Sequence, residues 1–274
     1  MSDKVMLITG ASRGVGRGIA KVLGKTGAKV YLTGRSVEPN ATTQGLPGTI
    51  TEVAKEITNS GGTAFPIRCD HTKDSEVKAL MERIRTDEGH LDLLVNNVFG
   101  GEEGERMISS RKEHPFWEHD MEEWWYRMFT AYLRAHISTS LFAIPLLTKS
   151  KKALIVSTLW WNRGQYLDDL FFDVSSAGIS RMAYDLSIEL EETNVYSVAL
   201  SPGWTLTERM INLTEDEKKQ THSPDYVGMA VSELFSDKDI KSLNGKTLEI
   251  GNLARRYGFT DVDGQLKDYH NSIN

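Results

Sequence analysis

The chain has 274 residues, of which 39% are apolar and 26% are charged, so a substantial core can form without disulfide bonds. A net charge of -6 argues against nucleic acid as a partner, and no apolar run approaches the roughly 18 residues of a membrane span. We therefore expect a protein that binds neither nucleic acid nor membrane. The single cysteine, Cys69, cannot form an internal bridge, so we expect a cytoplasmic location.

Short apolar runs alternate with helical patterns along the chain. The first strand is predicted at 5–8, and the helix after it carries Ile19, Val22 and Leu23 on one face. Further strands are predicted at 29–33, 64–68, 91–95, 153–156, 195–200 and 246–250. Further helices are predicted at 50–58, 75–85, 124–142 and 175–192. This alternation predicts an α/β fold with a single doubly wound parallel sheet, and the absence of a linker predicts one domain over 1–274.

Three polar stretches interrupt the alternation. The segment 36–48 is rich in Pro, Gly, Asn and Thr and is typical of an extended loop. The segments 101–120 and 204–223 follow the carboxyl ends of predicted strands, where doubly wound folds bind ligands. We therefore predict that these last two loops form walls of a substrate pocket.

A glycine-rich turn, Thr9-Gly10-Ala11-Ser12-Arg13-Gly14-Val15-Gly16, joins the first strand to the first helix. Glycines in such a turn let the backbone bend tightly and let a pyrophosphate approach the helix N-terminus. The predicted phosphate-binding residues are Gly10, Ser12, Arg13, Gly14, Val15 and Gly16.

The spacing TGxxxGxG resembles the form that this motif takes in the short-chain dehydrogenase/reductase family, and later motifs follow in the family's order. The sequence Cys69-Asp70-His71 resembles the acidic turn beside the adenine. Asn96-Asn97 resembles the start of the family's NNAG motif. Pro202-Gly203, followed by Thr205 and Thr207, resembles the turn on the nicotinamide side. The resemblance spans residues 4 to about 255. One branch of the family is also similar through 115–203 and the tail 257–261.

The end of the second strand indicates which cofactor is bound. An acidic residue there would bind the ribose 2′-hydroxyl of NAD and repel a 2′-phosphate, but this chain has Thr33-Gly34-Arg35. Arg35 and Arg13 can each donate charge-assisted hydrogen bonds to a phosphate. The sequence therefore predicts NADP(H), with a small-molecule substrate and no metal.

The resemblance implies a catalytic tyrosine, a lysine four residues later, a serine at a strand end and a helix asparagine. None of the nine tyrosines in this chain has a lysine four places on. Counting back from Pro202-Gly203, Phe172 takes the place of the tyrosine and Ser176 that of the lysine. Leu159 then takes the place of the serine, and Thr130 that of the asparagine. Because phenylalanine has no ionisable proton, we expect ordinary carbonyl reduction to be disabled.

Other polar groups nearby are candidates for a substitute role. Asp168, Asp169 and Asp173 flank Phe172, and a carboxylate near the nicotinamide could stabilise a cation or relay a proton. Thr158 lies one residue from the expected serine position, so a short shift of register would bring its hydroxyl into the site. A solvated acidic loop is the alternative interpretation of the three aspartates.

Three functions remain open on these residues. The first is an NADP(H)-dependent reductase with non-standard chemistry, which transfers hydride to an imine, an iminium or an activated carbonyl. The second is a non-redox isomerase or cyclase that uses the pocket for positioning. The third is a protein that binds NADP(H) without turnover. By resemblance, we also expect a homodimer or homotetramer that assembles through helices at 124–142 and 175–192.

Overall fold

The computed structural model describes Met1 and residues 3–100, 115–161, 163–167, 169–210 and 213–269. Its centre is a sheet of seven strands in the order β3-β2-β1-β4-β5-β6-β7, and all neighbouring strands are parallel. The strands are β1 (Val5–Ile8), β2 (Lys29–Gly34), β3 (Thr63–Arg68), β4 (Leu93–Asn96), β5 (Ala153–Thr158), β6 (Val195–Ser201) and β7 (Thr247–Glu249). The predicted doubly wound parallel sheet is thus confirmed.

Nine α-helices are present in the described residues. They are α1 (Gly14–Gly24), α2 (Ile50–Asn59), α3 (Asp74–Asp87), α4 (Met121–Trp124), α5 (Ala135–Leu147), α6 (Leu170–Glu189), α7 (Glu215–Gln220), α8 (Pro224–Ser236) and α9 (Ile250–Tyr257). Each predicted helix has a counterpart, although α6 begins five residues before its predicted start at 175. The early start arises because the Asp169 carboxylate accepts a hydrogen bond from the Phe172 backbone N–H and caps the helix.

The sheet is covered on both faces. One apolar cluster joins the sheet to α1, α2, α8 and α9, with Ile19, Val30 and Val227 fully buried in it. The cluster on the opposite face joins the sheet to α3, α5 and the end of α6. Both faces of the central strands are therefore dry, which explains why the strands are continuous apolar runs rather than alternating patterns.

A π-helical segment, Trp125–Arg134, joins α4 to α5 without a break. A third apolar cluster packs this segment against α6, with Met128, Tyr132 and Ile179 buried in it. π-Helical turns are rare and often occur at functional sites, because the wider turn changes which side chains face a neighbour. Tyr132 of this segment lies 3.4 Å from the Thr158 carbonyl oxygen at the carboxyl end of β5, where a ligand pocket of this fold is expected.

No helix in the described part of the chain is long and apolar enough to cross a membrane.

Candidate functional site

One cleft runs along the carboxyl edge of the sheet, at the point where the strand order reverses between β1 and β4. At one end, the glycine-rich end, it is lined by residues that follow β1, β2 and β3. At the other, the aromatic end, it is lined by Phe99, Tyr132, Thr158, Leu159, Trp160 and Phe172. Of the predicted cofactor residues, those that line the cleft are Gly10, Ser12, Arg13, Gly14, Val15, Arg35, Asp70, His71, Asn97, Pro202 and Thr207.

The turn at the glycine-rich end depends on backbone freedom. Gly14, the first residue of α1, has a φ of +53°, which side chains with a Cβ rarely adopt. A Cβ on Gly16 would lie 2.3 Å from the Gly10 carbonyl oxygen and 2.6 Å from Asn97 Nδ2. Gly16 is not among the residues that line the cleft. Its lack of a side chain lets α1 pack directly on the turn.

Asn97 holds this turn in place. Its side-chain amide donates hydrogen bonds to the carbonyl oxygens of Thr9 (3.3 Å) and Gly10 (3.2 Å), and its backbone N–H donates to Thr9 Oγ1. Asn96, in contrast, is buried behind the cleft, where its amide donates to Ser140 Oγ and Ser157 Oγ. The prediction that Asn96 contacts the cofactor is thus not supported by its position.

A carboxylate already occupies the N-terminus of α1. The Gly14 backbone N–H donates to Glu208 Oε2 at 2.8 Å, and the other Glu208 oxygen lies 3.4 Å from an Arg17 nitrogen. Glu208 belongs to the predicted pocket loop 204–223, which therefore reaches across to the glycine-rich turn. The contact shows that an anionic oxygen binds at this helix end. No side chain of the N-cap residue caps the N–H groups there, and the helix dipole favours negative charge.

The two predicted arginines line the glycine-rich end in different ways. The Arg13 guanidinium donates to Ser36 Oγ (3.0 Å) and to the carbonyl oxygens of Thr43 and Gly48, so it closes the loop 36–48 over the cleft. Arg35 is half-buried in the wall, where its charge contributes to a lowered pKa of Asp70. Burial raises the pKa of the Asp70 carboxyl group, but hydrogen bonds from Thr72 and nearby positive charges together lower it by more.

His71 lines the same end but is committed to structural contacts. Its ring nitrogens lie 2.8 Å from Thr33 Oγ1 and 2.8 Å from Thr139 Oγ1, which ties β2 to α5. Complete burial lowers the pKa of His71 to about 4, so the imidazole is neutral at physiological pH.

Two residues of the predicted turn after β6 also lie outside the lining. Gly203 has a φ of +73° and lets the chain reverse after Pro202. The buried Thr205 forms a β-bridge to His222 and donates to the Gly203 carbonyl oxygen at 3.4 Å. These two residues shape the turn, while Pro202 and Thr207 face the cleft.

At the aromatic end, the structure separates the four positions predicted from the family resemblance. Phe172 and Leu159 line the cleft, whereas Ser176 and Thr130 do not. Ser176 is 1% exposed, and its hydroxyl has no hydrogen-bond partner among the described residues. Thr130 lies in the π-helical segment, of which Ala131 and Tyr132 are the residues that line the cleft.

Thr158 is the predicted substitute that the structure brings into the site. Its hydroxyl lies 3.3 Å from the Asn96 carbonyl oxygen and 3.4 Å from Asn97 Oδ1, and it lines the cleft at the end of β5. Both hydrogen bonds are longer than is usual for a hydroxyl donor, so the group is only weakly engaged.

Two of the three candidate aspartates, Asp169 and Asp173, are not among the residues that line the cleft. Asp169 is buried and caps α6, and its second oxygen lies 3.3 Å from His119 Nε2, while burial raises its pKa. Asp173 accepts a hydrogen bond from the Leu167 backbone N–H and lines a separate small cavity with Trp160 and Trp161. Asp168 lies outside the described residues, as do positions 101–114 of the first predicted pocket loop.

Tyr132 is the residue that the sequence motifs missed. It comes from the π-helical segment, and its hydroxyl lies 3.4 Å from the Thr158 carbonyl oxygen. Its ring and the Phe172 ring both pack on Phe99, at centroid distances of 5.0 and 5.8 Å. No motif spacing identifies it, because its position depends on helix geometry rather than on a residue pattern.

The chain is similar to a known protein family and to proteins within it. A family model described as "short chain dehydrogenase" matches residues 4–218. The protein named "Dehydrogenase/reductase SDR family member 1" from Mus musculus is 35% identical, and the alignment covers 98% of this chain and 87% of the relative. Its Homo sapiens namesake is 34% identical with the same coverage.

Solved structures show the same fold. A short chain dehydrogenase from Mycobacterium thermoresistibile has a TM-score of 0.79 and 25% identity, with 95% of this chain and 89% of that chain covered. A putative dehydrogenase from Xanthomonas campestris has a TM-score of 0.81 and 22% identity, with 98% and 94% covered. A short chain dehydrogenase from Burkholderia cenocepacia, solved in complex with NADP, has a TM-score of 0.71 and 23% identity, with 90% and 96% covered.

Proposed function

Because the chain belongs to the short-chain dehydrogenase family, we propose that it is an NADP(H)-dependent oxidoreductase that reduces a polarised double bond without the family's tyrosine–lysine pair. The observation that carries this proposal is the composition of the aromatic end. Phe172 occupies the wall where the resemblance places the tyrosine, and none of the described residues lining the cleft is a lysine. Imines, iminium ions and activated carbonyls are the substrates that suit such a site.

The residues present fit the cofactor. The N-terminus of α1 already binds an anionic oxygen through Gly14, the position that a pyrophosphate would take. Arg13 and Arg35 lie at the same end of the cleft, and Gly34-Arg35 brings no carboxylate to the end of β2. The Burkholderia neighbour, which was solved with NADP, supports the same choice. When bound, NADPH supplies a hydride; the protein holds the nucleotide and orients the substrate.

The missing pair explains the choice of substrate. A lysine beside a tyrosine lowers the pKa of the phenol and makes it an efficient proton donor to an alkoxide. Without that pair, an unactivated ketone has no strong acid to protonate its oxygen. An iminium carbon accepts hydride with no proton transfer to its nitrogen, and a 1,2-diketone is electrophilic enough to need less acid assistance.

The direct test is to measure NADPH oxidation and product formation with a cyclic imine, a 1,2-diketone and an unactivated ketone. We expect turnover with the first two substrates and little with the third. A flat signal across the whole panel, with tight NADPH binding, would favour a binding-only protein. Product formation without NADPH consumption would favour an isomerase or a cyclase. Both of these outcomes contradict the proposal.

We also propose that the protein is a homodimer or homotetramer. Apolar side chains are exposed on the two helices that the resemblance assigns to the interface, namely Ile137 (47%) and Leu141 (60%) on α5 and Ile188 (53%) on α6. Exposed apolar patches of this kind commonly mark association surfaces. Light scattering of Leu141→Glu should show smaller particles than the parent protein, and identical masses would contradict the assembly proposed here. A cytoplasmic location remains a proposal, which a fluorescent fusion would test.

A further inference from the structure

Tyr132 brings a phenol hydroxyl to the aromatic end from outside α6. It is the only tyrosine among the described residues that line the cleft. Its oxygen lies 3.4 Å from the backbone oxygen of Thr158, and the hydroxyl of Thr158 lines the same wall. The site has therefore lost a tyrosine at position 172, yet it retains a phenol that approaches from the opposite helix.

Helix geometry places this phenol in the cleft. Tyr132 lies in the π-helical segment, two residues beyond Thr130, where the resemblance predicts an asparagine. Ala131 and Tyr132 line the cleft and Thr130 does not, within a segment whose π turn is wider than that of an α-helix. The Tyr132 ring is then fixed by edge-on packing against Phe99 (5.0 Å) and His136 (5.3 Å), so its direction does not depend on its hydroxyl.

The hydroxyl is only weakly engaged. O–H···O hydrogen bonds have a most common length of about 2.7–2.8 Å, so a separation of 3.4 Å from the Thr158 oxygen is a poor interaction. Ser176 and the Trp160 backbone are further polar neighbours of the Tyr132 phenol, and Ser176 Oγ forms no hydrogen bond of ordinary length and angle. A substrate atom that accepts a short hydrogen bond from Tyr132 would replace a weak contact with a strong one.

The environment keeps the phenol protonated. Burial raises the pKa of Tyr132 well above its ordinary value, and contacts with Ser176 and the Trp160 backbone only partly oppose this. No lysine is found among the described residues that line the cleft. Tyr132 therefore acts as a hydrogen-bond donor rather than as a base.

We propose that Tyr132 donates a hydrogen bond to the oxygen or nitrogen of the double bond that this enzyme reduces. The inference rests on the proposed function and narrows its substrate class to activated carbonyls and neutral imines, whose heteroatom has a free lone pair. In the step, hydride adds to the carbon, the π electron pair moves to the heteroatom, and solvent water supplies the proton. Tyr132 stabilises the charge that develops on the heteroatom, as a single donor of an oxyanion hole does.

The test compares Tyr132→Phe with Tyr184→Phe. Each variant loses one phenol hydroxyl, but Tyr184 is 46% exposed on α6 and is not among the residues that line the cleft. The Tyr132 ring stays packed on Phe99, so we expect Tyr132→Phe to fold and to bind NADPH like the parent protein. Two quantities are measured: kcat/KM for a 1,2-diketone and a cyclic imine, and the infrared C=O stretch of the diketone in the NADP⁺ complex.

For Tyr132→Phe, we expect kcat/KM to fall by roughly 10- to 100-fold, since one donor to the developing charge is lost. We also expect the bound C=O stretch to move to a higher frequency, while Tyr184→Phe leaves both quantities unchanged. A stretch that is the same in the parent protein and in Tyr132→Phe would overturn the assignment of Tyr132. Because the infrared measurement needs no turnover, it decides the role of Tyr132 even if the parent protein reduces nothing and the proposed function fails.

Discussion

The two ends of the cleft differ in how far apart along the chain their residues lie. Most of the glycine-rich end comes from residues 10–15 and 34–36, which belong to one continuous βαβ unit. The aromatic end combines Phe99, Tyr132, Thr158 and Phe172, which come from four separate segments. A site built from one short unit retains a recognisable motif, whereas a site assembled from remote segments can exchange its chemistry without disturbing the fold. Substitutions at each end of the cleft test this contrast.

Gly16→Ala should disrupt the glycine-rich end most strongly. The new Cβ would lie 2.3 Å from the Gly10 carbonyl oxygen, so the turn or the start of α1 must move. We expect NADPH binding to weaken at least 100-fold and stability to fall by about 1–3 kcal/mol. Gly61→Ala is the control for steric contact, because its Cβ would meet nothing within 4 Å; its φ of +86° adds a backbone strain that Gly16 does not have. Calorimetric titration and thermal unfolding measure both effects, and normal binding by Gly16→Ala would contradict the role given to the turn.

The double change Phe172→Tyr with Ser176→Lys should restore the proton chemistry of the aromatic end. Both residues lie on α6, one turn apart, and Phe172 already lines the cleft. If the wall at Phe172 is the family's tyrosine position, reduction of an unactivated ketone should rise roughly 100-fold. Phe172→Tyr alone should gain much less, because no ammonium group lowers the pKa of the new phenol. Ser176 is buried, so thermal unfolding must show that the double variant folds; a folded variant with no gain would contradict the register.

Arg35→Ala should change which cofactor is preferred while leaving the reaction untouched. The guanidinium lies in the wall beside Asp70 and can pair with a 2′-phosphate, which NADH lacks. We expect the affinity for NADPH to fall roughly tenfold and the affinity for NADH to stay the same. Arg68→Ala is the matched control, because Arg68 is exposed and pairs with Glu76 outside the cleft lining. Equal losses for the two nucleotides would show that Arg35 does not read the phosphate.

Glu208→Gln should produce the smallest effect, in the favourable direction. The Glu208 carboxylate takes the Gly14 N–H that a phosphate would need, and its charge repels that phosphate. We expect NADPH to bind about three- to tenfold more tightly to the neutral variant. Glu56→Gln is the control, because Glu56 pairs with the same Arg17 at 2.6 Å without touching Gly14. Weaker binding by Glu208→Gln would mean that Glu208 supports the nucleotide site instead.

The fold could be predicted because strands and helices are governed by local hydrophobic patterns. Strand β1 is an apolar run that the glycine-rich turn follows directly, and the types of neighbouring residues predict both. The apolar spacing of Ile179, Met182, Leu186 and Leu190 predicts a helix that starts at 175, whereas α6 starts at Leu170, where Asp169 caps it. Whether that carboxylate caps the helix or faces the cleft depends on backbone direction, which residue spacing does not reveal.

The amino-acid sequence alone predicts the parallel sheet, the glycine-rich turn and the absence of any tyrosine with a lysine four residues later, since each depends on residue types at short, regular spacings. Only the tertiary structure decided that Thr130 turns away, that Tyr132 reaches the cleft and that Glu208 binds the start of α1. Thr130 and Tyr132 lie in the π-helical segment Trp125–Arg134, and the Glu208 contact joins segments remote in sequence. A change of helical turn rotates side chains without leaving a signature in the spacing of residues, so it becomes visible only when the helices are packed.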